Sequence, residues 1–220
     1  MSNAIIFDKD GTLLDFGGTW DEAVGLAFDA IQDVVLRKEV AELFGYDLEY
    51  RYVLPTSAFV SESGDTTDQI LSELIDVAAF KCIVNEASRQ NIRSNANATE
   101  TLRLLKERGW ELAVATNDSE EVARSHIKAL SWTPFFSSVK GFDSGFGAKP
   151  GPGMVLAAAE ECNALNETYL MVGDSLHDIL AGSAAGAVTV AIGKDDGAAA
   201  LADFRIDNLS ELISLADQLG

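Results

Sequence analysis

Cysteine is scarce in this chain, with Cys82 and Cys162 the only two in 220 residues. They are too few and too far apart to frame a disulfide scaffold or a zinc site, so a reduced, cytoplasmic setting is expected. Cationic side chains are also few, 16 Lys and Arg against 35 Asp and Glu, for a net charge of −19. A polyanion binder needs clustered cationic surface, so nucleic acid is not expected as a partner. Long apolar runs are missing as well. The most apolar stretch, residues 181–193, is interrupted by Gly182, Ser183 and Gly186 and falls short of the ~20 residues a membrane helix needs. No basic-then-apolar leader precedes the first strand, and neither a signal peptide nor a membrane partner is expected.

What the chain does have is 47% apolar residues, enough to bury a core in one large domain or in a domain carrying an inserted module. Residues 5–14 read Ile-Ile-Phe-Asp-Lys-Asp-Gly-Thr-Leu-Leu, an apolar entry ending in two carboxylates. That is the pattern of a buried strand with Asp8 and Asp10 at its carboxyl edge. Residues two apart on an extended backbone project to the same side, so the two carboxylates converge, and Gly11 permits a sharp turn away. Alone, such an Asp-Gly marks only a turn after a strand. Three more fragments follow in order. Residues 112–117, Leu-Ala-Val-Ala-Thr-Asn, form an apolar strand ending in Thr116; Lys149-Pro150 reads as a lysine opening a helix; residues 172–178 read Val-Gly-Asp-Ser-Leu-His-Asp.

These four fragments, in this order, resemble the four motifs of the haloacid dehalogenase superfamily of phosphohydrolases, and the resemblance covers nearly the whole chain. It implies an α/β fold with a Rossmann-like, mostly parallel sheet. It also implies that the segment after the first motif is an inserted α-helical cap of the kind found in phosphoglycolate phosphatases and β-phosphoglucomutases. The sequence pattern agrees. From Trp20 the apolar positions Val24, Ala27, Phe28, Ile31, Val34 and Val35 follow a helical spacing, with Thr19 as the expected N-cap. A second helical stretch over 39–44, an irregular segment over 46–65 and a long helix over 67–88 come next, with hinges expected at Gly17-Gly18 and in the polar run 89–98. The expected domains are thus 1–15 with 91–220 as core and 16–90 as cap. From residue 99 onward helices and strands alternate: helix 100–108, strand 111–116, a helix capped by Ser119, a strand over 138–142, a helix over 153–162 with Pro150 and Pro152 in its first turn, strand 168–173, helix 176–185, strand 187–192, strand 204–206 and helix 211–219.

In an open parallel sheet, ligands bind beyond the carboxyl ends of the strands, and Asp8, Asp10, Thr116, Asp174 and Asp178 all follow strand ends. Two like charges ~4 Å apart repel by roughly 4 kcal/mol at an effective dielectric of 20, so four gathered carboxylates imply a cation. All-oxygen donors select a hard ion, and Mg²⁺ is expected. Asp8, Asp174 and the backbone carbonyl of Asp10 are assigned as direct ligands, with Asp178 holding metal-bound water. The resemblance then implies the roles: Asp8 as nucleophile forming an aspartyl-phosphate, and Asp10 as general acid and base with a pKa raised by neighbouring anions. Thr116 and the Asn117 amide bind the phosphoryl group, Lys149 neutralises its charge, and Gly11 lets the backbone approach it. His177 is expected on a helix surface, His126 exposed or half-buried, Trp20 and Phe28 in the cap core, and Phe16, Arg51, Thr56 and Ser57 in non-helical segments where specificity resides.

The expected activity is a Mg²⁺-dependent phosphatase of small phosphorylated metabolites, similar to phosphoglycolate phosphatases, acting as a monomer or homodimer. Asp10 argues against a dehalogenase, whose halide leaving group needs no proton. A phosphosugar mutase of the β-phosphoglucomutase type shares all four motifs, and a non-catalytic phosphate- or metal-binding regulatory protein is the alternative outside catalysis. A receiver-type signalling domain has no place for the helical insertion.

Overall fold

The structure is a computed structural model, and it describes residues 3–61, 64–193 and 195–220. In chain order the elements are β1 (Ala4–Phe7), α1 (Phe16–Asp29), α2 (Val34–Phe44), β2 (Tyr46–Asp47), β3 (Tyr52–Val53), α3 (Ala58–Ser61), α4 (Gly64–Ser72), α5 (Val77–Asn91) and α6 (Ala98–Glu107). There follow β4 (Glu111–Ala115), α7 (Glu120–Ala129), β5 (Phe136–Lys140), α8 (Gly153–Glu161), β6 (Tyr169–Gly173), α9 (Leu176–Ala185), β7 (Val188–Ile192), α10 (Asp196–Leu201), β8 (Phe204–Ile206) and α11 (Glu211–Leu219). The chain separates into two compact units, one built from the residues through Leu14 with Ser94–Gly220, the other from Asp15–Arg93.

The first unit holds a sheet that, among the described residues, has six strands in the order β5-β4-β1-β6-β7-β8, every pairing parallel. A parallel sheet is covered on both faces, which is why all four residues of β1 are apolar and buried rather than alternating. On one face Ala4, Ile6 and Met171 pack with Met154 and Val155 of α8 and Ala181 of α9. The chain runs outward from β1 through β4 to β5, then returns to the other side of β1 at β6. Beside β1 the strand order therefore reverses, and the crevice at the carboxyl ends there is where such sheets bind ligands.

Boundaries within this unit follow local signals with small displacements. Ser119 caps α7 by accepting from the Val122 N–H, and Gly186, at φ 80°, ends α9. The strand expected over 138–142 is instead β5, Phe136–Lys140, paired with β4, and the chain turns at Gly141. Helix α8 starts at Gly153 with Pro152 at its N-cap, so Lys149 and Pro150 stand in the turn before it rather than in its first turn. The Lys149-Pro150 peptide is cis.

The second unit has its own core. The Phe28 ring lies 5.0 Å from Tyr46 and 5.2 Å from Phe80, and Phe59 stacks on Phe80, with Val24, Val40, Phe44 and Leu71 around them. Several expectations need correction here. Gly17 and Gly18 lie in the first turn of α1, not in a hinge, because Asp15 takes the N-cap and accepts from the Gly18 N–H; Thr19 is a buried helical residue. A Cβ on Gly18 would stand 2.6 Å from both Arg93 Cδ and Asp15 Oδ2, so its glycine serves close packing. The helix expected over 67–88 is two, α4 and α5, because Asp76 caps the second by accepting from the Ala79 N–H. The irregular segment contains the β2-β3 hairpin and α3, while residues 62 and 63 of it lie outside the described residues.

Phe16 opens α1, in place of a loop. Arg51, in the left-handed region at φ 55°, pairs with Glu22 at 2.8 Å and Asp29 at 3.0 Å, and buried Ser57 donates to the Phe44 carbonyl. Arg51 and Ser57 thus hold their own unit together, and Thr56 is exposed. The two chain crossings between the units are adjacent. Leu14 bridges Ser94, and the Asp15 N–H donates to the Arg93 carbonyl.

Candidate active site

Asp8 is the first residue beyond β1, Thr116 the first beyond β4 and Asp174 the first beyond β6, and these are three adjacent strands. The strand order therefore sets the three side by side. Asp178 reaches the same place from the first turn of α9. Its Oδ2 accepts from the Ser175 N–H at 3.0 Å and the Ser175 hydroxyl at 2.6 Å, which ties it to the N-terminus it caps. Carboxylate oxygens of Asp8, Asp174 and Asp178 lie within 4.8 Å of one another.

Lys149 enters this acidic cluster as a buried cation. Its Nζ is 2.5 Å from Asp8 Oδ1, 2.5 Å from Asp178 Oδ1 and 2.9 Å from the Ala115 carbonyl, three acceptors for three ammonium hydrogens. Burial acts to lower the Lys149 pKa, but Asp178 and Asp8 outweigh it and hold the ammonium above the ordinary lysine value. Asn117 fixes the backbone that carries it. Its side-chain amide donates to the Lys149 carbonyl at 3.0 Å and its Oδ1 accepts from the Lys149 N–H at 2.8 Å. The sequence assigns the Asn117 amide to the phosphoryl group, whereas its side chain is engaged in this clamp.

One lysine against three carboxylates leaves the cluster anionic. Burial, opposed by Lys149 and reinforced by Asp178 and Asp174, pushes the Asp8 carboxyl well above the usual range. Burial and the neighbouring Asp178 push Asp174 up to about 7. Such a cluster of hard oxygen donors, with no thiolate or imidazole among its members, fits a divalent ion of the Mg²⁺ type. The residues that would hold it divide by their existing bonds. Asp178 has one oxygen on Lys149 and the other on Ser175, while Asp8 accepts from Lys149 through Oδ1 and Asp174 from Thr12 through Oδ1. The Asp10 carboxylate is not a member of the converging group, so among the described residues three carboxylates meet here and not the four expected, Asp10 being drawn instead to Lys9.

Gly11 has a second reason beside the turn expected of it. At φ +88° it occupies the left-handed region, and a Cβ there would sit 2.2 Å from Asp174 Oδ2. What the missing side chain admits is the Asp174 carboxylate. Gly11→Ala therefore combines backbone strain of about 1–3 kcal/mol with displacement of Asp174. We expect at least a tenfold weaker Mg²⁺ affinity by calorimetry together with lower stability in urea. Unchanged affinity would show that Asp174 does not depend on that space.

The sequence also missed several supports. Asn95, 84 residues from Gly11, donates through Nδ2 to the Gly11, Thr12 and Leu14 carbonyls at 3.0, 2.9 and 3.3 Å, clasping the loop after β1. Thr12 donates to Asp174 Oδ1 at 2.9 Å. Thr12 stood in the first motif unassigned, while no local signal marks Asn95. His126 is buried, not exposed, and lies against Lys9; His177 is half-buried on α9. The Lys9 ammonium lies 2.5 Å from Asp10 Oδ2, where the sequence suggested neighbouring anions. Thr116 is buried, and its hydroxyl oxygen accepts from the Asp118 N–H at 3.1 Å.

A parallel α/β sheet thus carries an acidic cluster and a buried lysine at the carboxyl ends of its central strands. Residues 3–186 match the family model described as haloacid dehalogenase-like hydrolase, and the chain belongs to that family. The chain is 25% identical over 223 residues to pyrophosphatase PpaX of Bacillus pumilus, covering 97% of this chain and 95% of the relative. It is 30% identical over 237 residues to the probable phosphatase IndB of Dickeya dadantii, covering 100% and 95%. A solved structure from Haemophilus somnus, described as a predicted phosphoglycolate phosphatase, superposes with a TM-score of 0.70 at 23% identity over 96% of each chain. Among the described residues no helix is long and apolar enough to cross a membrane.

Proposed function

We propose that this enzyme is a divalent-metal-dependent phosphatase of small phosphorylated metabolites, working through an aspartyl-phosphate on Asp8. The observation that carries the reading is the Lys149 ammonium bridging Asp8 and Asp178 beside Asp174 in a buried crevice. A buried lysine 2.5 Å from the attacking carboxylate neutralises the charge that grows on the phosphoryl oxygens and costs no reorganisation during the reaction. Asp8 attacks phosphorus, which divides hydrolysis into two displacements. Asp10 protonates the departing alkoxide and then takes a proton from the attacking water. Thr116 and the backbone after it bind a phosphoryl oxygen. Asp8, Asp174 and the Asp10 carbonyl would hold a Mg²⁺ ion, which would supply charge neutralisation and orient the phosphate.

Substrate choice is encoded under this reading in residues 15–93, with Thr56 the exposed candidate once Arg51 and Ser57 are committed to internal bonds. The relatives named as a pyrophosphatase and a phosphatase make pyrophosphate and small phosphomonoesters, 2-phosphoglycolate among them, the first compounds to assay.

Chelation with EDTA is expected to abolish turnover and Mg²⁺ to restore it. Full activity after rigorous metal removal would exclude the reading. Asp174→Ala should weaken Mg²⁺ binding at least tenfold more than Asp178→Ala, because both Asp178 oxygens are already bonded within the protein. Equal loss in calorimetric titrations would place both carboxylates on the ion.

A further inference from the structure

Lys9 stands between the two carboxylates of the first motif, and none of the chemistry assigned so far uses it. Its ammonium is 2.5 Å from Asp10 Oδ2, 3.1 Å from Asp118 Oδ2 and 3.3 Å from His126 Nδ1. An ammonium only donates, so Asp10 Oδ2 and His126 Nδ1 accept from it, His126 Nδ1 carrying a lone pair with the ring proton on Nε2, while Asp118 Oδ2 is held to Lys9 as an ion pair. Lys9 and His126 are each 1% exposed. These partners come from three places, the end of β1, the loop after β4 and the middle of α7.

Taking a lone ammonium out of water costs several kcal/mol, and a flexible lysine would turn to solvent unless held. Asp118 and His126 hold it, and each is itself fixed. Asp118 Oδ1 accepts from the Ser119 N–H at 2.7 Å, and His126 lies within α7, the helix capped by Ser119. Burial works against the charged form of Lys9, but Asp10 and Asp118 outweigh it and keep the ammonium charged. Rigidity thus runs from α7 and the β4 loop through Lys9 to one oxygen of Asp10.

We propose that Lys9, anchored by Asp118 and His126, is a positioning residue that holds the Asp10 carboxylate in the one orientation from which it exchanges a proton with the substrate's bridging oxygen. The inference rests on the reading of Asp10 as the proton carrier. Proton transfer needs heavy atoms within about 3 Å, and a displacement of about 1 Å costs on the order of 10²-fold in rate. A carboxylate free to rotate loses that placement. Lys9 acts through the Asp10 oxygen it holds, so its effect appears only in steps that use Asp10.

The test compares the wild type with Lys9→Met, Lys9→Met/Asp118→Asn and Asp10→Asn, on the best alkyl phosphate from a metabolite screen and on p-nitrophenyl phosphate. The double variant removes both buried charges together, so that an unpaired Asp118 does not unfold the protein, and circular dichroism gives the folded fraction. Both Lys9 variants are expected to lose about 10- to 100-fold in kcat/KM on the alkyl phosphate and less than about fivefold on p-nitrophenyl phosphate, whose leaving group needs little protonation. Asp10→Asn should show the same selectivity, more strongly. An equal loss on both substrates in the Lys9 variants, with Asp10→Asn selective, overturns the assignment of Lys9 alone. Absence of selectivity in Asp10→Asn itself overturns the role of Asp10 and the inference with it.

Discussion

Asp8→Asn is expected to give no phosphoenzyme and no measurable turnover on any substrate, whereas Asp10→Asn should still form the adduct. The two carboxylates lie two residues apart, yet their surroundings differ. Asp8 Oδ1 faces the Lys149 ammonium inside the acidic cluster, and Asp10 Oδ2 faces Lys9 outside it. Replacing the Asp8 carboxylate by an amide removes the nucleophile, and no other converging carboxylate has its position at the end of β1. Replacing Asp10 leaves the nucleophile in place and removes the proton transfers, typically worth roughly 10² to 10⁴-fold, together with its pairing to Lys9. Without its base the second displacement stalls, so borohydride-trapped label should accumulate in Asp10→Asn and map to Asp8. Label on another residue, or adduct formation by Asp8→Asn, would sink the nucleophile assignment.

Lys149→Met should reduce kcat by about 10²- to 10³-fold and destabilise the metal-free protein at the same time. The first effect follows from losing a preorganised charge at the phosphoryl oxygens. The second follows from burial. Lys149 is 5% exposed, and its removal leaves Asp8 and Asp178 facing each other without the cation between them. Breaking a buried ion pair by removing one partner costs about 3–5 kcal/mol. Urea unfolding in EDTA should show a loss of this order, and saturating Mg²⁺ should recover part of it by supplying the missing positive charge. A variant as stable as the wild type in EDTA would mean that Lys149 does not compensate these carboxylates. Loss of stability with kcat intact would leave it a structural residue only.

The sequence by itself determined the frame of the site. Uninterrupted apolar runs such as Ile5-Ile6-Phe7 ending in polar residues mark buried parallel strands, and a functional group one residue beyond such a strand is carried to the sheet edge whatever the rest of the chain does. The positions of Asp8, Thr116 and Asp174, and the capping of α9 by Ser175 with Asp178 three residues on, were legible for that reason: each depends on contacts within a few residues. Local signals failed where two of them competed. Gly17-Gly18 suggested a hinge until Asp15 capped a helix over them, and Asp76 divided a continuous helical pattern that periodicity alone could not break.

Only the tertiary structure decided which distant side chains support the site. Lys9 meets His126 across 117 residues of sequence, Asn95 clasps Gly11 across 84, and Asn117 clamps Lys149 across 32. Arg51 and Ser57 turned from specificity candidates into internal ties for the same reason, since their partners come from other elements of their unit. A hydrogen bond of about 3 Å between residues far apart in the chain leaves no periodicity and no composition signal. It exists only because the strand order β5-β4-β1-β6 brings loops from distant parts of the chain to one edge, and there burial makes every unpaired charge costly enough to demand a partner.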